Sequence, residues 1–167
     1  MYVPPEAVME KIECLWLPNN WFCFEFTREG DVHSILERRP WYIRGRLFKV
    51  QRYTLDFDPT VAIIDKLVVW IRLSNLPLPH WNTKSLQHLV QHLGQFIKAD
   101  DMTLMAQKCM FARVKVELDL RFPLKRTIIA HGNDGRSLTI LVSYEVIFEV
   151  SFRCGLYRTR GMFALCK

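Results

Sequence analysis

No stretch of this 167-residue sequence stays apolar long enough to cross a bilayer. Its greasiest runs, Val61–Leu73 and Leu138–Phe152, are interrupted by Asp65, Lys66, Glu145 and Glu149. The opening residues, Met1-Tyr2-Val3-Pro4-Pro5-Glu6, hold no basic segment leading into an apolar one. Secretion is therefore not expected, and an intracellular location, nuclear or cytoplasmic, is. The seven glycines are scattered and form neither G-x-x-x-x-G-K-[ST] nor G-x-G-x-x-G, which excludes phosphate cradles of those kinds. Five cysteines, at 14, 23, 109, 154 and 166, make an odd and irregular set rather than a disulfide framework. No serine or cysteine stands in a recognisable nucleophile context, and His33, His80 and His131 are isolated. Asp100 and Asp101 are chain neighbours and cannot flank a scissile bond as two separated carboxylates do. The sequence thus points away from an enzyme, and no small-molecule substrate is expected.

What is present is an ordinary globular composition, 50% apolar and 24% charged, with a net charge of +6. The charge is uneven. Between Arg38 and Tyr53 stand six cations (Arg38, Arg39, Arg44, Arg46, Lys49, Arg52) and no acid. A second concentration, Arg153, Arg158, Arg160 and Lys167, faces only Glu149. Clustered guanidinium groups suit phosphate because each donates two parallel hydrogen bonds, so nucleic acid is the first partner to consider. The plainer reading is a solvated strand carrying solubilising charge. No basic amphipathic helix accompanies the cluster, so a membrane surface is not expected.

Hydrophobic spacing gives the elements. Lys11–Leu17 and Trp21–Thr27 flank Pro18-Asn19-Asn20 and predict a β-hairpin. In its second arm Phe22, Phe24 and Phe26 share one face, and Trp21, Cys23 and Glu25 the other. The phenylalanines read as core, which turns Trp21, Cys23 and Glu25 outward, or as a base-stacking face. Val32, Ile35 and Leu36 make a short helical stripe that Pro40 stops. Leu47–Arg52 predicts a strand, Asp56–Pro59 a turn and Ala62–Asp65 a connector. Leu67–Leu73 is strand-like and ends at Leu76-Pro77-Leu78-Pro79. Asn82 or Thr83 caps a helix with the stripe Leu86, Leu89, Val90 and Leu93, and Gly94 reads as its C-terminal stop. Val114, Val116 and Leu118 alternate with Arg113, Lys115, Glu117 and Asp119, a half-buried strand. Thr127–Ala130 and Leu138–Tyr144 flank a loop at His131–Gly135. The order predicts an α+β fold with a mainly antiparallel sheet, resembling the split βαβ topology of ferredoxin-like and RNA-recognition domains.

His88 and His92 lie four apart on the predicted helix, a spacing that can serve one metal. They fall off its apolar stripe and lack the glutamate of a zinc protease motif, so a solvated polar face is the plain reading. Trp41, Tyr42 and Tyr53 interleave with the arginines and are the stacking candidates, with a plug in the core at a helix end as the other reading of Trp41.

Several strings resemble one family. Arg39-Pro40-Trp41-Tyr42-Ile43-Arg44-Gly45-Arg46-Leu47 is similar to its "GGPWxIxGRLL" segment, and Gln51-Arg52-Tyr53 with Asp56-Phe57-Asp58-Pro59 to "QRWxPxFDP". Val69-Trp70-Ile71-Arg72-Leu73 with Leu76-Pro77-Leu78 and Trp81 resembles "VWVRLPGLPxxxW", and Phe111–Asp119 resembles "FARVCVEVDL". The family is the plant domain of unknown function 4283, common in retrotransposon-derived proteins of LINE type, and the resemblance runs from about Ile12 to Tyr144. It implies a gag-like, nucleic-acid-associated protein, here N-terminally shortened, with residues 1–145 as one domain. The family often continues into a C-x2-C-x4-H-x4-C zinc knuckle. Tyr144-Glu145 and Phe152-Arg153-Cys154-Gly155 match its opening, but Ser151, Thr159 and Ala164 stand at three ligand positions. Only Cys154 is in place and Cys166 is two residues late, so residues 146–167 read as a degenerate remnant and a basic tail without zinc or other cofactor.

The sequence-level expectation is a non-enzymatic module that binds RNA or single-stranded DNA electrostatically and with little sequence preference. Arg38, Arg39, Arg44, Arg46, Lys49 and Arg52 would meet phosphates, Tyr42 and Tyr53 bases, and Arg153, Arg158 and Arg160 would add contacts. The alternative is a protein-interaction module that assembles with itself, or a relic without nucleic-acid affinity.

Overall fold

A computed structural model describes residues 13–43, 46–106, 110–131, 136–145 and 162–166. The chain divides into two compact units, Met1–Ile64 with Thr159–Lys167, and Asp65–Arg158. The division falls in the Ala62–Asp65 connector, inside the span 1–145 that the sequence reads as one domain.

The first unit begins with the expected hairpin, β1 (Glu13–Leu17) and β2 (Trp21–Glu25). Asn19 and Asn20 both take positive φ, 58° and 62°, a left-handed turn that asparagine tolerates better than most residues. α1 (Glu29–Glu37) follows, then β3 (Trp41–Ile43) and β4 (Arg46–Arg52). The sheet is completed by β10 (Met162–Cys166), seated between β2 and β4 and parallel to both, in the order β1-β2-β10-β4-β3. The tail read as a knuckle remnant thus supplies the central strand. Val32 of α1 and Val50 of β4 are buried, with Phe24, Phe26, Ile35, Leu36, Trp41 and Phe48 packed around them.

Strand β2 departs from a one-sided pattern. Trp21 and Cys23, expected to point outward if the phenylalanines are core, are buried along with Phe22. Trp21 packs edge-on against Phe57, and Phe22 against Trp16. Glu25 alone of the three is exposed.

The second unit is antiparallel throughout. It comprises β5 (Lys66–Ser74), a 3-10 turn (Leu78–His80), α2 (Thr83–Val90), β6 (Gly94–Ala99), α3 (Asp101–Leu104), β7 (Ala112–Asp119), β8 (Thr127–His131) and β9 (Ser137–Tyr144). Their order is β6-β7-β5-β9-β8. Leu67, Val69, Ile71 and Leu73 on β5 and Val114, Val116 and Leu118 on β7 are buried on one face, and Val68 and Lys115 are buried on the other. α2 packs against β6 with Leu86 and Val90 fully buried. Its N-cap is Asn82, whose Oδ1 accepts the Ser85 N–H at 3.0 Å.

Gly94 is not the stop of α2. The helix ends at Val90, and Gly94 opens β6 opposite Leu118. A Cβ there would meet the Glu117 carbonyl oxygen at 2.3 Å, so the position needs glycine for close backbone approach. Together the units make an α+β protein with mostly antiparallel pairing. Among the described residues no helix is long and apolar enough to cross a membrane.

Candidate nucleic-acid interface

The acid-free run of cations does not remain acid-free in space. Arg52, at the end of β4, pairs with Glu29 in the first turn of α1, which chain distance had hidden. Arg39 is half-buried in the α1–β4 seam, where its guanidinium donates to the carbonyls of Leu36 (2.6 Å) and Val50 (3.4 Å). It keeps its charge but fastens the helix to the strand. Arg38 is exposed at the C-cap of α1. Lys49 is half-buried and lies on the face of β4 opposite Phe48 and Val50. Arg46 opens β4, opposite Ile43 in the ladder, and Arg44 lies outside the described residues. The described members of the cluster are therefore spread over a helix end, a seam and three positions of β4.

The aromatic candidates divide similarly. Trp41 plugs the core, its Nε1–H donating to the Ile35 carbonyl of α1 at 2.9 Å. Tyr42 and Tyr53 are half-buried. Among the described residues, the most accessible aromatic ring of the first unit is Trp16 on β1, 80% exposed, which is absent from the sequence-predicted set. Its alternation with Cys14 on a hairpin arm was the available signal.

The charge balance of the units sharpens this. The first holds ten Lys and Arg against nine Asp and Glu; the second holds thirteen against eight, a balance of +5. Part of the second unit's charge is locked internally. Arg113 pairs with Asp100 (2.7 Å) and Glu145 (2.8 Å), and Glu145 also accepts from Arg72 at 2.8 Å. Hydrogen bonds from Arg113, then from Arg72, hold the Glu145 carboxyl below its ordinary range despite burial. The Arg113 guanidinium also sits over the Trp70 ring, 4.1 Å from its centroid, and Arg72 over Phe111 at 4.6 Å. Asp100 doubles as the N-cap of α3. These groups knit β5, β7 and the end of β9 together.

His88 and His92 are exposed and both face the Gln91 amide, at 3.3 and 3.5 Å. Among the described residues no three His, Cys, Asp or Glu side chains gather as metal ligands. Cys166 lies in β10, opposite Phe24 and Arg52, in extended backbone unlike a knuckle loop. Arg153, Cys154, Arg158 and Arg160 lie outside the described residues.

No curated protein and no solved structure matches the chain. The strings at Val69–Trp81 and Phe111–Asp119 lie beyond the one family match. That match covers residues 9–61, through β1, β2, α1, β3, β4 and the turn after them, and makes this segment similar to the family described as Domain of unknown function (DUF4283).

Proposed function

We propose that this chain is a non-enzymatic module of retroelement origin that binds RNA or single-stranded DNA through electrostatics, with weak sequence preference. The observation that carries this reading is the density of cations at residues 38–53, six without an intervening acid. Of these, Arg52 is offset by Glu29, while Arg39 retains its charge against neutral carbonyls. The exposed ring of Trp16 adds a stacking surface on the same unit.

The ferredoxin-like or RNA-recognition-type topology belongs, in this reading, to the second unit. What supports it is the path β5–α2–β6 with β7 seated between the two strands, and β9 on the other side of β5. The unit departs from that pattern where a second helix would stand, since the chain runs from β7 to β9 through a turn and β8. Its balance of +5 gives it an electrostatic reason to approach nucleic acid.

Titration of labelled single-stranded RNA and DNA at two salt concentrations tests the reading. Binding that weakens with salt is expected, and Arg44→Ala with Arg46→Ala should lower the log–log salt slope by about 0.7 for each phosphate no longer neutralised. An unchanged slope removes that segment from the interface. No binding at low salt overturns the function and leaves a self-assembling module or a relic.

A further inference from the structure

The second unit's sheet ends in two unlike edges. At β6 the register with β7 shifts between Phe96 and Lys98, and Lys98 is exposed. A bulge and a lysine are the devices that keep an edge from pairing with another strand. The opposite edge, β8, reads Thr127-Ile128-Ile129-Ala130-His131, with regular register and no lysine, proline, glycine or acid. Ile129 is 63% exposed there, and among the described strands only β9 pairs with β8.

The backbone of that edge is self-complementary. The Val142 N–H donates to the Arg126 carbonyl at 2.8 Å, and the ladder aligns Thr127 with Leu141. Hydrogen-bonded pairs to β9 therefore fall at 126, 128 and 130, because they alternate along an antiparallel ladder. The N–H and C=O groups of Thr127, Ile129 and His131 point outward. These three positions are symmetric about Ile129. A second copy running antiparallel, with its two-fold axis at Ile129, sets Ile129 on Ile129 and Thr127 on His131. Each is a hydrogen-bonded pair, so every outward group finds a partner.

Charge selects the same orientation. Parallel pairing would set Lys125 and Arg126 of both copies side by side. Antiparallel pairing puts the two arginines at opposite ends, roughly 20 Å apart, beyond the screening length of about 8 Å at physiological salt. On the exposed face the two Ile129 side chains meet, each with Leu141, 45% exposed, as its diagonal neighbour. We propose that β8 is the surface through which two copies of this chain associate, joining two five-stranded sheets into one. The proposal uses none of the cations at 38–53 and stands apart from nucleic-acid binding.

Light scattering of the full chain across a dilution series should give a mass moving between one chain and two. Ile129→Lys, which sets like charges together at the axis, should stay at one chain with unchanged circular dichroism and melting. Ile129→Cys provides a second reading that does not depend on loss. Directly opposed residues of a hydrogen-bonded pair have Cα atoms about 5.5 Å apart, within disulfide reach. Mild oxidation should give a reducible covalent dimer above the wild-type background. Thr139→Cys, on β9 and three strand spacings (about 14 Å) from its copy, should not. A wild-type chain that keeps the mass of one chain at every concentration, an Ile129→Lys chain that dimerises as well as wild type, or cross-linking at 139 as readily as at 129 each overturns the proposal.

Discussion

The two units are built from the same number of strands but differ in how far apart in the chain their neighbours lie. In the second, all five strands come from one continuous stretch, and every pairing is antiparallel. In the first, two hairpins are joined only by a strand from the other end of the described sequence, parallel to both. One sheet is held by local closure and the other by a single distant insertion. The difference also separates charge from exposure: the unit with the dense cationic run is nearly balanced, and the other carries most of the excess.

The comparison breaks most sharply at β10. Ala164 aligns with both Phe22 and Val50, so Ala164→Pro removes a ladder donor from a strand flanked on both sides. The ladder groups left unpaired cost about 1–3 kcal/mol, a loss confined to the first unit. Amide exchange should lose protection across 13–52 and keep it across 66–144; uniform loss would show that the units do not stand separately. Gly94→Ala makes the opposite cut. Its Cβ meets backbone rather than a flexible side chain, so the β6–β7 pairing must shift, at about 2–3 kcal/mol. Urea unfolding should show the second unit weakened and the first unmoved.

Glu145→Gln sharpens the contrast through pH. The carboxyl sits below its ordinary range in the folded state, so its contribution is complete above its unfolded value and is lost as pH falls through the folded one. The wild-type second unit should lose stability in acid below the ordinary carboxylate range. The glutamine variant should be weaker by about 2 kcal/mol at neutral pH and show a flatter acid limb. A melting series from neutral to acid pH, followed with a reporter of the second unit, measures both. Equal acid limbs would mean the Arg72–Glu145–Arg113 group contributes nothing net.

Residues whose partners are close in sequence were readable. Pro18-Asn19-Asn20 announced its hairpin, Val114, Val116 and Leu118 their strand, and Asn82 its helix. What the local pattern left out shares one cause, a partner brought in from afar. Arg52 looked unopposed because Glu29 lies on another element. Gly94 looked like a helix stop because the Glu117 carbonyl that requires it is absent from any local window. Residues 162–166 looked like tail because nothing near them marks the slot between β2 and β4. The candidate interface suffered likewise: sequence counted its charges, but whether an arginine faces solvent, an acid or a carbonyl is decided by packing.

The placement of β10 also bears on how the chain is made. Protein domains ordinarily fold as units in the order they leave the ribosome. Here the second unit has all five of its strands once Tyr144 is synthesised, whereas the first must hold two unjoined hairpins, with sheet edges bare, until Cys166 emerges. The part of the chain that is born first is therefore the last to be finished, and its open slot is where a translating chain is most exposed to wrong strands or to a chaperone.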